Sequence, residues 1–294
     1  MKLATFTESN RTRIGVVEGD QIIDPVSTTP TLSDMISLLE AGPEGMSALR
    51  NASTHSRRRY SLESVRLEAP VMRPRKFLNL GGSYQSHLAE VAHLGIKPPA
   101  HQTWANKQVT CVNGPFDAIH FPTFSDSMDY EGELAIVIGR RCRNVTASTV
   151  QDVVGGYLIC NDVSIREWQL RSPTAMLGKS FDTHGPIGPW IVTPDELEAE
   201  DLSIKTWVNG ELRQNGRTSE LMYHFRDMLL ELSRVFTLEP GDILATGSPA
   251  GVGGAMLPPR FLKIGDICRV EVEGIGHIEN RVIEEPSSYV TPKG

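Results

Sequence analysis

Cysteine is scarce in this 294-residue chain: Cys111, Cys142, Cys160 and Cys268 are the only four, with no Cys-x-x-Cys pair and no zinc-like spacing. A disulfide framework is therefore not expected, and the four read as buried thiols. Long apolar runs are missing as well. The longest wholly aliphatic stretch is Leu134 to Ile138, far below the ~20 residues of a membrane helix. The opening MKLATFTESN holds no secretory-type apolar segment, so a cytoplasmic protein without a membrane partner is expected. Positive charge is in deficit, with 29 Lys plus Arg against 36 Asp plus Glu and a net charge of −7. The one basic cluster, Arg57 to Arg59, lies in a polar stretch beside Tyr60. It reads as solvated surface, and nucleic acid is set aside as a partner. Internal repeats are absent, and so is a regular strand–helix alternation, which argues against a doubly wound sheet.

What is present is mostly strand signal. Residues 1–70 read as a small N-terminal α/β domain. Alternation over Lys2 to Phe6 and Arg13 to Val17, a turn at Glu18-Gly19-Asp20 and then Gln21 to Ile23 form a meander. Two helical stretches follow, Leu32 to Leu39 and Glu44 to Asn51. Residues 71–285 form a second, β-rich unit, with strands expected at Lys76 to Leu80, Leu134 to Ile138, Gly156 to Cys160, Trp190 to Thr193, Ile204 to Val208, Ile243 to Thr246, Cys268 to Val272 and Ile275 to Ile283. Asn209-Gly210 is a hairpin signal, because the primed turn takes positive φ at both positions. Helices are expected after a capping-box pair, Ser148 with Gln151, with Gly155-Gly156 as the stop, and over Ser219 to Phe236. The fold class is α+β, mostly β, and residues 286–294 read as a loosely held tail.

The sharpest chemical signal is Asp129-Tyr130-Glu131-Gly132-Glu133, running straight into the aliphatic strand. On a strand, positions two apart share a face, so Glu131 and Glu133 point the same way. Like charges that close call for a cation between them, and a divalent ion answers. A charged edge strand that discourages aggregation is the alternative. Asp162, at the end of the apolar strand Tyr157 to Cys160, favours the metal reading as a third carboxylate, and an all-oxygen set suits Mg²⁺ or Mn²⁺, with Ca²⁺ possible.

His87 and Glu90, three apart on a helical stretch, share a face where the carboxylate orients the imidazole as a general base; a solvated surface pair is the plainer reading. Lys179 in Gly178-Lys179-Ser180 is not a phosphate loop, because that motif requires glycine where Pro173 stands. It supplies charge to an anionic substrate or is an ordinary surface lysine. The glycine-rich run over residues 246–254 follows a strand and lets backbone N–H groups approach a carboxylate, or is simply a tight connection.

Together, Glu131-x-Glu133, Asp162, Gly178-Lys179-Ser180-Phe181-Asp182, Pro186-x-Gly188-Pro189, Asn209-Gly210 and the run from Gly241-Asp242-Ile243 to Gly251-Val252-Gly253 resemble the fumarylacetoacetate hydrolase family over about residues 72–284. The resemblance implies a mixed β-roll catalytic domain, a homodimer, and a divalent metal on Glu131, Glu133 and Asp162. It implies a lid dyad at His87 and Glu90, an active-site lysine at Lys179, and substrate contacts from Tyr84, Arg166, Gln169, Gly247 and Ser248. Many members carry Gly-Arg-Asn-Tyr where this chain has Gly81-Gly82-Ser83-Tyr84, which alters the acid-binding side of the pocket. The expected activity is hydrolysis of a C–C bond in a 1,3-diketo acid, an acylpyruvate or fumarylpyruvate-like compound, through a metal-stabilised enolate. The alternatives are decarboxylation of a 2-oxo diacid such as oxaloacetate, isomerisation or hydration of an unsaturated 2-oxo acid, or a non-catalytic binding protein that keeps the fold.

Overall fold

The structure, a computed structural model, describes residues 1–25 and 33–287. The expected helix start at Leu32 and residues 288–294 of the tail lie outside the described residues. Lys2–Glu8 and Arg11–Glu18 form an antiparallel hairpin with Lys2 opposite Val17, and Gln21–Ile23 adds to it through Val17 and Ile22. This meander is not a sheet of its own. Lys2–Glu8 also pairs with Gly185–Val192, so residues 1–70 and 71–285 share one large mixed sheet. The sheet continues through Val154–Asn161, Gly132–Ile138, Ile243–Ala245 and Phe77–Gly81 to Thr103–Lys107.

Every residue of Gly132–Ile138 is buried, which a strand covered on both faces requires. Leu134, Ile136 and Ile138 face one core with Ile204, Val270, Val272 and Ile278. Those partners belong to a five-stranded sheet built on Ser203–Val208, Ile267–Val272 and Gly276–Glu284. The helix Phe225–Val235 closes the same core with Phe225, Met228, Leu229 and Leu232. Ala135 and Val137 face the other way, toward Leu38, Leu39 and Leu49 of the helices Met35–Glu40 and Gly42–His55. Each such Leu or Ile stabilises the fold by roughly 1.5–3 kcal/mol.

Asn209 and Gly210 form the expected hairpin turn, at φ 51 and 80. Two expectations are corrected. Ser148 and Gln151 do not open an α-helix: Gln151–Val153 is one 3₁₀ turn, and Gly155-Gly156 lie inside the strand Val154–Asn161. These glycines permit close packing, since a Cβ on Gly155 would lie 2.8 Å from the Cα of Gly139. The expected helix over Ser219 to Phe236 begins only at Phe225, because Leu221 bridges to Tyr84 in extended geometry and breaks the helical path. Among the described residues, no helix is long and apolar enough to cross a membrane.

Candidate active site

Gly132 lies opposite Asn161 in the central antiparallel pair. The residue before one strand therefore meets the residue after the other. The Asp162 N–H donates to the Glu131 carbonyl at 2.8 Å, and the Glu131 N–H donates to Asn161 Oδ1 at 3.0 Å. Side-chain alternation then turns Glu133 to the same side as Glu131. All three carboxylates are buried, with one oxygen of each within 4.8 Å of the others.

Among the described residues, three cations converge on this acidic centre. Lys179 Nζ lies 2.6 Å from Glu131 Oε2 and 2.7 Å from Asp162 Oδ2. Arg166 donates through Nη1 to Glu131 Oε1 and, at 2.9 Å, to Gln169 Oε1. Lys107, fully buried at the end of Thr103–Lys107, places Nζ 2.6 Å from Asp162 Oδ1. Asn79 adds an N–H to Asp162 Oδ2 at 2.8 Å. Burial alone would push Glu131 up, but Arg166 and Lys179 outweigh it and hold that carboxyl well below the usual range. Glu133 goes the other way, pushed well above its ordinary value by burial and by the charges of Asp162 and Glu131. Among the described residues it bonds no cationic side chain; its hydrogen-bond donor is the Gly247 N–H at 2.6 Å.

Such a site has one buried carboxylate in want of a cation and an all-oxygen donor set. It fits a hard divalent ion such as Mg²⁺ or Mn²⁺ on Glu131, Glu133 and Asp162.

The dyad is formed. His87 Nδ1 lies 2.7 Å from Glu90 Oε1 on the helix Gln85–Val91, and Glu90 Oε2 accepts the Gly251 N–H at 2.8 Å. The glycine-rich run does present its N–H groups to carboxylates, and they are the protein's own. Gly247 serves Glu133, Gly251 serves Glu90, and Gly253 and Gly254 serve Asp129 at 2.8 Å each. The Gly247 amide expected at the substrate is thus bonded to Glu133. Tyr84 packs in the main core with its hydroxyl unpartnered among the described residues, and burial pushes its phenol up. Ser248 is buried in the same loop. Ser83 donates to the Thr246 carbonyl and ties its loop to the glycine-rich run.

Sequence reasoning missed Lys107 and Asn79. Both come from strands paired to one another, Phe77–Gly81 and Thr103–Lys107. The half-exposed pattern of the second strand gave no apolar alternation to flag it.

Residues 76–283 match the family model described as fumarylacetoacetate (FAA) hydrolase, C-terminal. An oxaloacetate tautomerase, fahd2, described as mitochondrial, from Xenopus laevis is 35% identical over 291 residues, covering 96% of this chain and 90% of that protein. The solved structure of a fumarylacetoacetate hydrolase from psychrophilic Exiguobacterium antarcticum is 37% identical with a TM-score of 0.85, covering 97% of this chain and 100% of that one. A maleylpyruvate hydrolase from Sphingobium sp. SYK-6, solved with manganese(II) and pyruvate, is 31% identical with a TM-score of 0.80 and the same coverage of each chain.

Proposed function

The chain belongs to the fumarylacetoacetate hydrolase family, and on that premise we propose that it is a divalent-metal-dependent hydrolase cleaving the C–C bond of a 1,3-diketo acid of the acylpyruvate kind. The observation that carries this reading is the preformed dyad. Glu90 accepts on both oxygens, from Gly251 and from His87, so the imidazole proton sits on Nδ1 and Nε2 is left as a base. Glu90 bonds Gly251 in the same loop whose Gly247 N–H bonds Glu133, which ties the dyad to the acidic centre.

Nε2 takes a proton from water, and the water oxygen adds to the carbonyl remote from the substrate carboxylate. The bond between that carbonyl carbon and the methylene breaks, and its electron pair is delocalised toward the 2-oxo group. The methylene carbon then takes a proton, so an acylpyruvate and water give one carboxylic acid and pyruvate. A divalent ion on Glu131, Glu133 and Asp162 supplies Lewis-acid polarisation of the oxygens it meets. Lys179 adds fixed positive charge where negative charge develops.

A second reading is favoured by the kinship to an oxaloacetate tautomerase over 96% of the chain. There His87 would move a proton on and off the same carbon with no water added. The test is a panel of acylpyruvates, maleylpyruvate-like diketo acids and oxaloacetate, assayed with Mg²⁺ and Mn²⁺ and resolved by product. Release of a carboxylic acid with pyruvate supports hydrolysis. Keto–enol exchange of oxaloacetate with every diketo acid left intact overturns it in favour of the second reading.

A further inference from the structure

Asp129 is fully buried, lies outside the triad and collects donors from three segments. Its Oδ1 accepts the Tyr130 N–H at 3.0 Å and the Gly253 N–H at 2.8 Å. Its Oδ2 accepts the Gly254 N–H and Arg166 Nε, both at 2.8 Å, and Arg166 Nη2 stands 2.8 Å from the same oxygen.

A guanidinium is planar and rigid, so an acceptor on one of its nitrogens constrains where the others point. Here Nε donates to Asp129 Oδ2, Nη2 stands 2.8 Å from the same oxygen but makes no hydrogen bond among the described residues, and Nη1 is directed to Glu131 Oε1 and Gln169 Oε1. We propose that Asp129 is a positioning residue, which aims Arg166 at Glu131 and so sets the orientation of a carboxylate it does not itself touch. A merely fold-stabilising aspartate would be satisfied by the backbone N–H groups. The grip on Arg166, whose far end reaches the acidic centre, is what gives Asp129 a functional reach. This inference rests on the reading of Glu131, Glu133 and Asp162 as a metal centre.

Asp129→Asn removes the oxygen that Arg166 shares with the Gly254 N–H, and the Arg166→Met background separates the two losses. One amide oxygen still accepts the Gly253 N–H, while the amide nitrogen replaces the acceptor that Arg166 grips. Mn²⁺ affinity is measured by titration calorimetry in wild type, Asp129→Asn, Arg166→Met and the double variant. Asp129→Asn is expected to weaken Mn²⁺ binding about tenfold or more, yet to add less than about threefold once Arg166 is already Met, because residues acting through one another are non-additive. Wild-type affinity in Asp129→Asn, or an equal loss in both backgrounds, overturns the proposal.

If Asp129→Asn does not fold, Arg166→Lys takes its place. Lysine keeps the charge but cannot donate from separate nitrogens of one plane to Asp129 and Glu131, so its Mn²⁺ affinity is expected to fall to that of Arg166→Met; wild-type affinity contradicts positioning. Absence of Mn²⁺ binding in the wild type sinks the metal reading separately. In that event the same cycle is read in urea unfolding, where coupled losses for Asp129 and Arg166 support the grip and additive losses overturn it.

Discussion

Lys107 Nζ sits 2.6 Å from Asp162 Oδ1 with both side chains essentially sealed from solvent. Removing one partner of a buried ion pair strands the other, so Lys107→Met is expected to lower stability by about 3–5 kcal/mol in urea unfolding. A loss indistinguishable from zero would mean that Asp162 is satisfied by Lys179 and Asn79 alone.

Glu133 should show the opposite trade. It is buried, lacks a bonded cationic side chain among the described residues, and is pushed well above its ordinary pKa by burial and by two neighbouring carboxylates. Glu133→Gln keeps an acceptor for the Gly247 N–H and removes the charge. Metal-free Glu133→Gln is expected to melt higher than wild type, by about 1–2 kcal/mol in stability, while losing the thermal shift given by Mn²⁺. A variant that melts lower without metal contradicts the assigned electrostatics.

Two glycines separate turn strain from site geometry. Gly210 and Gly251 both have positive φ, but a Cβ on Gly210 meets nothing within 4 Å, whereas one on Gly251 would lie 1.9 Å from the Arg213 carbonyl oxygen. Gly210→Ala is expected to cost about 1 kcal/mol of stability and no activity. Gly251→Ala must shift the loop that bonds Glu90, and turnover should fall along with stability. Equal turnover in the two variants would detach the glycine-rich loop from the dyad.

His184 supplies a pH signature away from the acidic triad. It is buried, its Nε2 bonds the His120 carbonyl at 2.8 Å, and among the described residues its Nδ1 has no partner. Burial pushes its pKa down to about 3 from 6.5. The unfolded chain therefore binds the proton first. The contribution to stability is complete above pH 6.5 and declines by about 1.4 kcal/mol per unit as pH falls toward 3. Unfolding free energies from pH 7 to 4 should drop more steeply in wild type than in His184→Gln. Parallel curves would show that His184 is not held neutral.

The sequence revealed the parts of the site that obey local rules. Glu131 and Glu133 share a face because strands alternate, and Asp162 follows an apolar strand that a both-faces-buried sheet requires. The pairing that joins them is a tertiary fact, as is the reach of Lys107 across 55 positions to Asp162. Gly155-Gly156 misled because glycine serves equally as a helix stop and as a close-approach residue. Only the neighbouring Gly139 decides between the two. The join of the N-terminal meander to Gly185–Val192 rests on backbone hydrogen bonds that carry no side-chain signature.

The central claim is that His87, held by Glu90, is the base of a C–C hydrolysis beside the acidic centre. It is tested most directly by His87→Asn, assayed for acylpyruvate cleavage with Mn²⁺ binding measured on the same preparation. The account predicts wild-type Mn²⁺ affinity with cleavage lowered by about 10²–10⁴-fold. Cleavage at the wild-type rate in a variant that binds Mn²⁺ normally would contradict it.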